Sequence, residues 1–147
     1  TDLWIFLNII LALLFSIPAI NFFTHGTHIT VAHSMGTTIG INTTILFSAL
    51  FFIAHQLNPK LKTDRKWVKR GFFSFNISLL FFWISLLIAG GKRSYWMYVS
   101  KERLFSEMQD SLIPYYISFF IFGIAIFISL VIVAFPIFKA FLQKIKP

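Results

Sequence analysis

Long apolar runs separated by short polar stretches set the pattern of this chain. Four segments are apolar over the roughly 20 residues that a membrane-crossing helix needs. They are residues 3–22, 30–57, 71–90 and 112–138. The pattern predicts an all-α integral membrane bundle of four transmembrane helices, with residues 1–147 as a single transmembrane region. Pro18 falls near the end of the first span, Pro114 in the first turn of the fourth and Pro136 near its far end. A missing backbone N–H does least harm at such places. The connections are 23–29, 58–70 and 91–111, and no internal repeat or low-complexity linker stands out.

Composition strengthens this reading. The 147 residues are 57% hydrophobic and 12% charged, against about 25% charged in an ordinary soluble domain. A core of this size cannot bury so much apolar surface. The formal net charge of +8 would suggest a nucleic-acid partner in a soluble protein. Its distribution instead reads as membrane topology, with no nucleic acid involved. Lys60, Lys62, Arg65, Lys66, Lys69 and Arg70 crowd one connection, opposed only by Asp64, and Lys139, Lys144 and Lys146 lie near the end. Positive residues favour the cytoplasmic side, so 58–70 and both termini are expected inside. The 23–29 and 91–111 connections are then outside, and Lys92, Arg93, Lys101 and Arg103 in the latter are nearly balanced by Glu102, Glu107 and Asp110. No cysteine is present, which removes disulfides, thiolate metal sites and cysteine nucleophiles. The first segment has neither a basic lead nor a small-residue cleavage site, so no signal peptide is expected. The start at Thr1 is read as a processed chain or a piece of something longer.

The candidate chemistry gathers at the mouth of the second span, in "NFFTHGTHITVAHSMGTTIGIN". His33 and Met35 are two residues apart, hence about 200° apart around a helix, and one helix can offer a ligand to each of two partners. Imidazole and thioether both serve as axial ligands of haem iron. Gly36 and Gly40 would let a flat macrocycle or a neighbouring helix come close. Thr37, Thr38, Asn42, Thr43 and Thr44 add polar groups that inside a membrane usually face protein or cofactor. The plain alternative is an interfacial histidine and a packing methionine.

The run "IPAINFFTHGTHITVAHSMG", followed by "GINTTILFSAL", resembles the tenth-helix region of the catalytic subunit of bacterial nitric oxide reductases, members of the haem–copper oxidase superfamily. "LWIFLNIILALLFSIPAIN" looks like the ninth helix, "FFWISLLIAG" the eleventh and "LFSEMQDSLIPYY" the approach to the twelfth. The resemblance covers nearly the whole chain but only the last four helices of a twelve-helix subunit. It implies a place in the bacterial inner membrane, in a respiratory, denitrifying electron-transport complex.

That family carries a His-x-His pair on this helix, one His for high-spin haem b and one for low-spin haem b. His33 matches the first. Met35 stands where the second His is expected, which implies His/Met ligation of the low-spin haem with a second ligand from a helix outside this chain. His25 matches the family's Thr-His-Gly-Thr motif, and a role at a haem propionate or a nearby cation follows. "GGKRSYW" loosely resembles the paired basic residues that neutralise propionates, which points to Lys92 and Arg93. His28 and His55 are read as interfacial.

The implied reaction is reduction of nitric oxide to nitrous oxide at a high-spin haem and a non-haem iron. The ligands of that iron, histidines and a glutamate, belong to earlier helices. The chain is therefore expected to be part of an enzyme, incomplete alone, with the remaining helices supplied by another chain or a missing segment. A cytochrome c subunit or a quinol would be the electron donor, and lipid surrounds the whole. Two readings compete: an oxygen-reducing or nitric oxide-dismutating relative, and a non-catalytic membrane scaffold or transporter subunit. The absence of an acidic residue within a span speaks against a transporter.

Overall fold

A computed structural model of the chain describes residues 1–57, 65–100 and 104–145. Lys60, Lys62, Asp64, Lys101, Glu102, Arg103, Lys146 and the side chain of Lys144 lie outside the described residues. The protein is an all-α membrane bundle, and no strand occurs among the described residues. Its helices are α1 (Asp2–Phe15), α2 (Pro18–Thr24), α3 (His28–Met35), α4 (Thr44–Leu57), α5 (Arg65–Tyr98) and α6 (Phe105–Ile145), with a π-helical segment, Gly36–Thr43, joining α3 to α4. Among the described residues three helices are long and apolar enough to cross a membrane, His28–Leu57, Lys66–Tyr98 and Phe105–Lys139, and the bent pair of α1 and α2 makes a fourth span if taken as one.

The first apolar segment is not one straight helix. It is α1 and α2, bent by 105°. Proline disfavours helical backbone in the residue before it, and Ile17 is extended at φ −82° and ψ 116°. Pro18 then opens α2 at a position where its missing N–H loses nothing. The 14 residues of α1 rise about 21 Å, short of a hydrocarbon core about 30 Å thick. α2 is tied to the end of α5 instead. The Ser94 hydroxyl donates to the Phe23 carbonyl at 2.6 Å, and the Tyr98 hydroxyl to the Phe22 carbonyl at 3.0 Å.

Two helices outrun their apolar stretches. α5 continues through Lys92 and Arg93 to Tyr98, and α6 begins at Phe105. Much of the expected 91–111 connection is therefore helix, and Pro114 lies inside α6 rather than in its first turn. A hydropathy window ends where polar residues begin, but solvated polar residues sustain a helix well.

The core forms where α1, α3 and α5 meet, around Trp4, Leu11, Ala32, Phe75, Leu79 and Trp83. Trp4 is fully buried and its indole N–H donates to Asn76 Oδ1 at 2.9 Å. α5 and α6 are joined by Ser85–Ser118 (2.8 Å) and Ser129–Ser74 (3.0 Å) hydroxyl bonds and by the stacked Phe81–Phe122 pair. Outward faces carry exposed residues such as Phe73, Phe120, Phe127 and Phe135, as a lipid-facing surface requires.

Candidate haem-ligand site

α1 runs along the helix that carries the candidate ligands, and two glycines set its approach. A Cβ at Gly36 would lie 2.5 Å from Asn8 Nδ2, and one at Gly40 2.5 Å from Trp4 Cγ. These glycines thus receive a neighbouring helix, and no room for a macrocycle exists at that face. Ala32, Gly36, Gly40 and Thr44 are all buried. Thr44 donates to the Gly40 carbonyl and shares a bond with the Thr1 hydroxyl, both at 2.8 Å. Thr38 and Asn42 stay exposed on the opposite side. The segment from Gly36 to Thr43 takes the wider π form, which is rare and often found at functional sites.

His33 and Met35 lie just before it, in regular α-helix. Each is half-buried, on either flank of the strip facing α1. The His33 ring meets the edge of Phe15, the last residue of α1, with centroids 5.4 Å apart and planes at 80°. Its Nδ1 is buried without a partner, and its imidazole makes no hydrogen bond among the described residues. Its carbonyl accepts from Thr37 at 3.2 Å, which fixes the backbone there. A buried polar atom left unpaired costs about 1–3 kcal/mol, so this imidazole is chemically unspent. Met35 packs against the α1–α5 core yet is not enclosed by it.

The other candidates separate. His25 follows the last turn of α2, exposed, with its backbone N–H bonded to the Asn21 carbonyl at 2.8 Å. The chain then turns through Gly26 at φ +72°, and Thr27 caps α3 by accepting from the Ile29 N–H at 3.3 Å. Lys92 and Arg93 diverge because they are neighbours on a helix. Lys92 is turned to α6, 3.4 Å from the Ser111 carbonyl and 4.7 Å from the Tyr115 ring centroid. Arg93, the next residue on the helix, is half-buried and points about 100° away from Lys92. The sequence places His28 at the interface, and in the fold its Nε2 is 3.4 Å from Tyr116 Oη and its Nδ1 is buried without a partner. The missed partner is 88 residues away, and no local pattern announces it. Gly90 makes the approach possible: a Cβ there would lie 2.5 Å from the Ile29 backbone N. His55 is exposed near the end of α4.

A model of the family described as cytochrome c and quinol oxidase polypeptide I matches residues 3–126. The chain belongs to that family. The match runs from α1 into α6 and includes every candidate residue above. This places the chain among haem–copper oxidase-type subunits: membrane proteins of oxidoreductase complexes that bind haem and work with other subunits and lipid. No curated protein and no solved structure matches the chain.

The residues present fit haem at His33, where an apolar-walled imidazole has no protein partner. Among the described residues no three His, Asp or Glu side chains come together.

Proposed function

We propose that this chain is the haem-binding part of a nitric oxide reductase-like complex, with one haem b on each flank of α3. The observation that carries this reading is the unpartnered His33 imidazole, standing in the "THGTHITVAHSMG" run that resembles the reductases. High-spin haem at His33 and a non-haem iron held by helices outside this chain would supply the reduction of two nitric oxide molecules to nitrous oxide and water by two electrons and two protons. His33 would hold the iron through Nε2, since its Nδ1 is enclosed by the protein. The Phe15 edge holds the ring in one orientation, and the α1 seal at Gly36 and Gly40 keeps water from that side. A dry setting strengthens every charge interaction at the site.

Met35 would give the low-spin haem a thioether ligand, which raises its potential and favours electron delivery to it. Arg93 and His25, at the same end as the start of α3, would meet propionate carboxylates. The electron donor is a separate cytochrome c subunit or a quinol. The assembly sits in the bacterial inner membrane with the α4–α5 connection and the far end of α6 cytoplasmic, as the Lys66, Lys69 and Arg70 cluster favours.

Anaerobic assay of the purified native complex tests the substrate. Nitric oxide consumption with nitrous oxide as the product supports the reductase reading. Oxygen uptake without nitrous oxide production makes it an oxygen-reducing relative, and release of dinitrogen and oxygen makes it a dismutating one.

A further inference from the structure

A cavity of about 420 Å³ opens where α5 closes and α6 begins. Lys92, Tyr95, Trp96, Glu107, Met108 and Ser111 line it. Its size is that of a small-ligand site. Its level is the end of two membrane-long helices, Lys66–Tyr98 and Phe105–Lys139, where tyrosine and tryptophan settle at the water–lipid boundary.

The charges of this cavity are its informative feature. Lys92 and Glu107 line the same space, yet no ion pair joins them, and Glu107 makes no hydrogen bond or ion pair through its side chain among the described residues. The 3.4 Å from Lys92 Nζ to the Ser111 carbonyl is long beside the 2.7–2.9 Å of a firm charge-assisted bond. Among the described residues the Glu107 carboxylate thus faces the gap without a partner, and Lys92 holds only its long contact to the Ser111 carbonyl and the Tyr115 ring. A purely anionic ligand would satisfy Lys92 and be repelled by Glu107. A zwitterion satisfies both.

We propose that this cavity seats the headgroup of a zwitterionic phospholipid bearing a primary ammonium, as in phosphatidylethanolamine. Its phosphate lies at Lys92 and its ammonium at Glu107, beside the Tyr95 and Trp96 rings, whose faces favour a cation. Its acyl chains rest on the exposed apolar surface of α5 and α6. The site is independent of haem chemistry at α3.

The test is native mass spectrometry of the purified complex containing this chain, exchanged into dioleoylphosphatidylethanolamine or dioleoylphosphatidylglycerol. Lys92→Gln and Glu107→Gln replace exposed residues and are checked for unchanged helicity by circular dichroism. The wild-type complex retains one phosphatidylethanolamine in preference to phosphatidylglycerol. Lys92→Gln weakens retention of both lipids, and Glu107→Gln weakens phosphatidylethanolamine alone, each about tenfold, the size of one charge-assisted contact. Preference for phosphatidylglycerol, absence of retained lipid, or retention insensitive to either substitution overturns the proposal.

Discussion

At the scale of single residues, the spacing of His33 and Met35 already contained the geometry. Two positions two apart in a regular helix must point to different sides, and they flank the strip that faces α1. Proposed ligation makes Met35 a tuning residue. Met35→His should lower the midpoint potential of the low-spin haem, read by spectroelectrochemical titration. An unchanged potential would mean that position 35 does not reach iron. Gly40 gives a purely structural prediction. A methyl group there must displace the fully buried Trp4 ring, so Gly40→Ala should destabilise by about 1–3 kcal/mol, measured as a lowered thermal midpoint in detergent.

At the scale of elements, the apolar runs revealed that helices exist but not where they bend or stop. Pro18 near the end of an apolar run reads as tolerated, yet its effect on Ile17 divides the run in two. The basic pair Lys92 and Arg93 shows the same limit. Read as a loop, they form one basic patch. Carried on a continuing α5 they stand about 100° apart, and Lys92 alone is turned to Ser111 and Tyr115 of α6. The glycine approaches were half legible, since small residues announce a close neighbour without saying which. The serine contacts between α5 and α6 were not legible, because pairing residues 33 apart requires the register of two helices. Removing the Ser85–Ser118 bond should destabilise by about 0.6 kcal/mol. In a thermal-unfolding double-mutant cycle, Ser85→Ala with Ser118→Ala should lose little more than either alone. Full additivity would show that the hydroxyls act separately.

At the scale of the whole molecule, membership of a haem-binding family and the unpaired His33 imidazole together support the proposed haem site. The orientation proposed from charge is open to direct labelling, since the chain contains no cysteine. Gln56 and Ser106 are exposed at opposite ends of the bundle's long helices. In intact cells an impermeant maleimide should label Ser106→Cys and spare Gln56→Cys. The reverse pattern would invert the topology.

The most direct test of the account is optical. Reduced-minus-oxidised and carbon monoxide difference spectra should be recorded for the native complex with His33 intact and with His33→Ala. The account predicts loss of the carbon monoxide-reactive haem in the variant while the low-spin bands persist, which also shows that the complex has assembled. A carbon monoxide signal unchanged by His33→Ala, or a wild-type complex without haem, would contradict it.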